Sequence, residues 1–204
     1  MSPTNGASSS RTLNIDIRTY WHAGTGRGQG VVLDAVCHRD RDGLPELAGR
    51  HIRGLVREAV ESAEALGMYG NSSTQNITQT LFGSRSDGTL ESISGVLRFS
   101  NGVLPLADRE ALLTNPHLID RLFDKLFSTA INSQTGAALS HSLRGIEVVI
   151  PVKLECRIQT IPGVSDVPDQ WSKMLKEALP FVRAVGASRN RGLGRAELTL
   201  GAAA

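Results

Sequence analysis

The segment GIEVVIPVKLECRIQT, residues 145–160, carries an apolar side chain at every second position: Ile146, Val148, Ile150, Val152, Leu154, Cys156 and Ile158. A period of two marks a half-buried β-strand, with one row of side chains in a core and the other in solvent. Upstream, TLNIDIRTY at residues 12–20 alternates through Leu13, Ile15 and Ile17 and reads as a second strand. ISGVLRF at 93–99 reads as a third strand, and residues 196–200 as a short last one.

Two helices fall between these strands. Ile52, Leu55, Val56, Ala59, Val60 and Ala63 follow the spacing of one buried helical face, which predicts a helix beginning near Gly49. Residues 168–185 predict another, with Trp171, Met174, Leu175, Ala178, Leu179 and Val182 on its inner face. The order strand, helix, strand, strand, helix, strand is the split βαβ pattern of an α+β, ferredoxin-like (RRM-like) βαββαβ core, shared with RNA-recognition modules. Spacing wider than a minimal domain needs predicts insertions at about 67–92 and 100–144. The first is polar and reads as a loop. Residues 108–127 read as one or two helices interrupted at Asn115-Pro116. Residues 128–144 are polar, glycine-marked and suited to a protruding hairpin. Residues 1–11, without an apolar stretch, read as a disordered lead rather than a secretory signal, and 12–204 as a single domain.

Composition narrows the function. No apolar run approaches the roughly 20 residues of a membrane span. Two cysteines, Cys37 and Cys156, are too few for a disulfide framework or a four-ligand zinc site, and a reducing, cytoplasmic setting is expected. Net charge is only +2, yet 18 of the 22 basic residues are Arg and 4 are Lys. Arg pairs bidentately with phosphate, although a GC-rich genome also favours it. Aromatic residues are 4% of the chain and the 145–160 strand has none, so an RNA ligand would be held by its backbone rather than by stacked bases.

The motifs agree with that chemistry. WHAGTGRGQG at 21–30 carries Gly24, Gly26 and Gly28 beside Arg27, a glycine density that suits a loop with open backbone amides. Arg50, Arg53 and Arg57 recur along one helical face, next to the helix start at Gly49 and His51. GASRNRGLGR at 186–195 sets Ser188, Arg189 and Arg191 among Gly186, Gly192 and Gly194, with no acid from Arg183 to Arg195. Glycines let backbone approach a phosphate and arginines neutralise it. Neither a Walker A loop nor a dinucleotide GxGxxG spacing is present. Asp34, Asp40 and Asp42 lie in one loop; turn and cap roles compete with catalysis or metal binding there. His22, His38 and His51 offer no legible pairing with a nucleophile.

Taken together, WHAGTGRGQGVVLDAVCHRDRDGLPELAGRHIRGLVR, LFG at 81–83, GVLRFSN at 95–101, TAINSQTGAA at 129–138 and the terminal GASRNRGLGR resemble, over about residues 12–200, the RAMP superfamily of CRISPR-associated proteins. Within it they resemble the backbone subunits that line guide RNA in type III effector complexes. The resemblance implies copies of the chain side by side on a guide RNA (crRNA), a thumb hairpin near 129–143, and further CRISPR effector subunits as partners. It implies that the glycine loop and the arginine face grip guide phosphates. It also implies that Asp34, with Asp40 as second candidate, sits beside the scissile phosphate of a paired single-stranded target RNA, with Asp34 holding a divalent Mg2+ or Mn2+. Two positions depart from the family pattern: Ala48 stands where a proline is usual, and Arg53 where a lysine is. A purely structural RNA-binding subunit, and a repeat-RNA processing endoribonuclease using His22 or His38, are the competing readings.

Overall fold

The computed structural model describes residues 9–24, 26, 34–70, 76–84, 93–162 and 167–203. Arg27 and Gly28 lie outside the described residues. Four antiparallel strands form the main sheet: β1 (Ser10–Ile17), β2 (Leu97–Phe99), β5 (Lys153–Thr160) and β6 (Ala196–Ala203). Their order, β2-β5-β1-β6, is the ferredoxin-like order expected from the alternation of elements. Leu13, Ile15, Ile17, Leu154, Cys156, Ile158 and Leu198 are buried on one face. Asn14, Lys153, Glu155, Arg157, Glu197 and Thr199 stay exposed on the other. An antiparallel sheet tolerates one wet face in this way.

Two helices cover the apolar face. α1 (Gly49–Ala65) buries Ile52, Leu55, Val56, Ala59, Val60 and Ala63, the stripe its spacing predicts. Each of the buried Ile, Leu and Val side chains contributes about 1.5–3 kcal/mol. α4 (Trp171–Ala178) buries Trp171, Leu175 and Ala178 and runs into a 3-10 turn at Leu179–Phe181. The predicted helix over 168–185 is therefore shorter, because Pro180 cannot continue the backbone ladder.

Other boundaries also differ. The long strand over 145–160 divides at Pro151. Its first half, β4 (Arg144–Val149), pairs with β3 (Phe123–Ser128) in a separate two-stranded sheet, and its second half is β5. Pro151 has no N–H for a ladder, while its neighbours bond to different elements: Ile150 N–H to Leu122 at 3.0 Å, and Val152 C=O from Ile17 at 3.0 Å. β3 replaces the last part of the helix expected over 108–127, which instead comprises α3 (Leu106–Thr114) and a 3-10 helix at Pro116–Leu122. Pairing with β4 overrides local propensity there. The 93–99 strand is regular only at Leu97–Phe99. The polar 67–92 insertion contains α2 (Ile77–Phe82), capped by Asn76 accepting from Gln79 N–H at 2.7 Å, with Leu81 and Phe82 in the core. β1 begins at Ser10, inside the expected lead. Residues 129–143 close β3 and β4 as a hairpin with an Ile131–Ala138 bridge, at the place where a protruding hairpin is expected. No helix of the described residues is long and apolar enough to cross a membrane.

Candidate nucleic-acid interface

The first loop returns past β1 as two short bridged runs. Trp21 bridges Val149 and Gly24 bridges Cys37. From there, residues 34–37 lie along the edge of β4 that β3 leaves open. Asp34 N–H bonds to Gly145 C=O at 2.8 Å and Glu147 N–H to Ala35 C=O at 2.9 Å. The Asp34 carboxylate accepts from Gly145 N–H at 2.9 Å through Oδ2. Its Oδ1 has no partner among the described residues, and the side chain is exposed. Asp34 is thus clipped to the root of the hairpin by one oxygen and open on the other.

Behind it lies a buried polar node. Glu147, 7% exposed, accepts from Cys37 N–H at 2.8 Å and from Arg39 at 2.7 Å. The Arg39 guanidinium lies 3.4 Å from the Phe123 ring centroid. Burial, reinforced by Glu147, pushes the Cys37 thiol up to about 12, so it is a neutral packing group and not a nucleophile. His22 is 7% exposed, and its Nδ1 lies 2.6 Å from Glu147 C=O. A Cβ on Gly24 would meet His22 Nε2 at 2.6 Å, so this imidazole is packed on both nitrogens. His22 therefore fits a structural role better than that of a general base. His38 is half-exposed, with Nδ1 3.7 Å from Glu46 and no hydrogen bond.

Asp40 differs from Asp34. Its Oδ1 accepts from Asp42 N–H at 2.9 Å and Leu44 N–H at 3.0 Å, and its Oδ2 from Arg109 at 2.6 Å. Arg109 also bonds Asp42 at 2.7 Å. Burial raises the Asp40 pKa, but Arg109 and the two amides outweigh it and hold the carboxyl below the usual range. This is a turn-forming carboxylate that accepts three hydrogen bonds from the fold. As the second catalytic candidate, Asp40 differs from Asp34 in having both oxygens engaged by the fold.

The arginine face also divides. Arg53 donates to Phe82 C=O and lies over the Phe82 ring, while Arg57 bonds Glu61 at 2.9 Å. Arg50 is exposed and has no ion partner among the described residues. The Gly49 amide, expected to face an anion, instead donates to Asn101 Oδ1 at 2.8 Å. A Cβ on Gly49 would lie 2.6 Å from Ser100 C=O, so this glycine seats the helix against the end of β2.

The glycine-rich loop closes a hairpin. Ala184 bridges Arg195, and Gly194 N–H bonds to Tyr20 C=O at 2.7 Å. Gly194, at φ +69, has no room for a Cβ against Val185 C=O. Ser188 and Gly192 both take left-handed backbone, turning out a tip with Arg189 and Arg191 exposed. Arg189 lies 3.8 Å from Glu58 of α1. His51 Nε2 accepts from Gly186 N–H at 3.0 Å. The start of α1, the glycine-rich loop and the 21–24 run therefore meet at one corner, bearing the exposed Arg50, Arg189 and Arg191. Gly24 and Gly26 are exposed nearby in sequence, Gly26 at φ +75.

Among the described residues, no three His, Cys, Asp or Glu side chains gather to hold a metal ion. Asp34 supplies one open oxygen and no cage, so a resident metal does not fit these residues. Sequence reasoning missed Glu147, Asn101 and Arg109. Each works through a contact dozens of residues away, and no local spacing signals it.

Fold and corner together define a ferredoxin-like protein with a cationic, glycine-rich edge. The family model of the RAMP superfamily matches residues 14–197, and the chain belongs to that superfamily. It is similar to a chain in the cryo-EM structure of the Type III-B Cmr-beta bound to cognate target RNA, with TM-score 0.66, 9% identity and coverage of 94% of this chain and 96% of that one. It is also similar to a chain in the Type III-B Cmr-beta apo state, with TM-score 0.65, 10% identity and the same coverage. At these identities the likeness is one of fold. No curated protein sequence matches the chain.

Proposed function

We propose that this chain is a backbone subunit of a type III CRISPR interference complex, lining guide RNA as copies side by side with other effector subunits. We further propose that it cleaves the paired target RNA at Asp34. Superfamily membership and the Cmr-beta likeness support the assembly. The observation that carries the site is the contrast in Asp34 itself: one carboxylate oxygen fixed by Gly145 N–H, the other open and exposed at the hairpin root. Arg50, Arg189 and Arg191 supply the phosphate-binding charge.

Cleavage follows from RNA's own chemistry. The 2′-hydroxyl attacks the adjacent phosphorus and the P–O5′ bond breaks. A 2′,3′-cyclic phosphate and a 5′-hydroxyl result, the proton passing from the 2′-oxygen to O5′. Asp34 orients the attacking hydroxyl by accepting its hydrogen bond. DNA lacks the nucleophile and is spared. The Mg2+ or Mn2+ that the family resemblance implies would meet a single open carboxylate oxygen here, that of Asp34.

In the assembled complex, Asp34→Ala is expected to abolish target cleavage while guide RNA is retained. Cleavage at the wild-type rate would leave the non-catalytic structural subunit as the reading. That second reading has its own support, since the Asp34–Gly145 bond also closes the hairpin root.

A further inference from the structure

Gly186 sits where α1 meets the glycine-rich loop. Its φ is +79, and a Cβ would lie 2.5 Å from His22 C=O, so the loop enters the corner with no slack. Two successive amides pin this entry. Ala187 N–H donates to His22 C=O at 2.8 Å, a partner that does not titrate. Gly186 N–H donates to His51 Nε2 at 3.0 Å, a partner that does.

An imidazole nitrogen accepts a hydrogen bond only when unprotonated. The groups around His51 favour that form. Burial disfavours the charge most, Arg189 on the loop opposes it further, and Glu58 on α1 offsets part of this, leaving the His51 pKa below its ordinary value. Arg50 is its neighbour on the same helix, and His22, across Gly186, directs its ring at Glu147.

We propose that His51 is a positioning residue for RNA: its neutral imidazole holds the glycine-rich loop through the Gly186 amide, presenting Arg189 and Arg191 to the phosphate backbone, and protonation releases the loop. This rests on the guide-binding role above. It also inverts the ordinary expectation. A histidine that touches phosphate binds RNA more tightly once protonated. One that must stay neutral to hold the loop makes binding weaker in acid. The sign follows from the lowered pKa: above about pH 6.5 both held and released forms are neutral, and below it the released form takes up the proton more readily.

The test uses the full chain and a fluorescein-labelled single-stranded RNA 20-mer, titrated at pH 7.5 and 5.5. Gln places Oε1 about where Nε2 sits and does not titrate. His51→Gln should bind as wild type at pH 7.5, and His51→Leu about three- to tenfold more weakly. Wild type should weaken by a similar factor on acidification, and His51→Gln should not. Thermal melts at pH 7.5 confirm that both variants are folded. Tighter wild-type binding in acid, lost in His51→Gln, would overturn the proposal in favour of direct phosphate contact; His51→Leu binding as wild type would also overturn it. The underlying role fails separately: if Arg189→Glu/Arg191→Glu binds as wild type, RNA does not pass this loop.

Discussion

Asp34 and Asp40 lie six residues apart in one loop, carry the same side chain and meet opposite surroundings. Asp40 spends both oxygens on the fold, accepting from two amides and Arg109. Asp34 is fixed by one amide and keeps an oxygen exposed. The arginines repeat the contrast: Arg53 and Arg57 are engaged by Phe82 and Glu61, while Arg50, about one turn before Arg53 on the same helix, is exposed and has no ion partner among the described residues. Residue type nominates a site, but unused hydrogen-bonding capacity selects within it.

The largest effect should separate the two acids. Asp34→Asn is expected to slow target cleavage at least about 100-fold, with the urea midpoint of the chain nearly unchanged, because its amide oxygen can still accept from Gly145 N–H. Asp40→Ala should do the reverse, lowering stability by about 2–4 kcal/mol, because Arg109 and two amides lose their acceptor. A double-mutant cycle with Arg109→Ala should be strongly non-additive. Asp40→Ala unfolding at the wild-type midpoint would erase the distinction.

The next effect falls on RNA affinity. Arg189→Glu/Arg191→Glu should weaken binding of a single-stranded RNA at least about tenfold and flatten its salt dependence by roughly 1.4, about 0.7 per lost phosphate contact. An unchanged slope would move the phosphate track elsewhere.

A smaller effect concerns acid. The native Asp40 carboxyl binds its proton less readily than the unfolded chain does, since Arg109 and the amides of Leu44 and Asp42 outweigh burial. Its contribution is present above the ordinary Asp range and is lost as pH falls through and below about 4. In urea titrations, Asp40→Asn should flatten that part of the stability profile.

The smallest contrast lies on α1. Arg50→Ala should weaken RNA binding severalfold without changing stability. Arg57→Ala should cost about 0.3–0.5 kcal/mol of stability, the worth of a helical ion pair, and leave RNA binding alone.

Much of the fold was legible in the residues. Period-two runs at Leu13–Ile17 and Leu154–Ile158 and the stripe from Ile52 to Ala63 are core patterns, and burial follows them. The break at Pro151 was in view too, but apolar alternation runs through it, and only separate partners for Ile150 and Val152 reveal two sheets. β3 was hidden because Phe123–Ser128 becomes a strand by pairing with β4. At the site, sequence reading named the loop, the helix start and the glycine-rich hairpin that meet at one corner. It could not tell open from occupied groups, because Asn101, Arg109 and Glu147 act from far along the chain.

The central claim is tested most directly by co-expressing the chain with its genomic neighbours and a CRISPR array, purifying the complex and sequencing its RNA. Discrete guide RNAs, protected over lengths that grow with the number of copies, are predicted. A stable complex free of nucleic acid would contradict the backbone role.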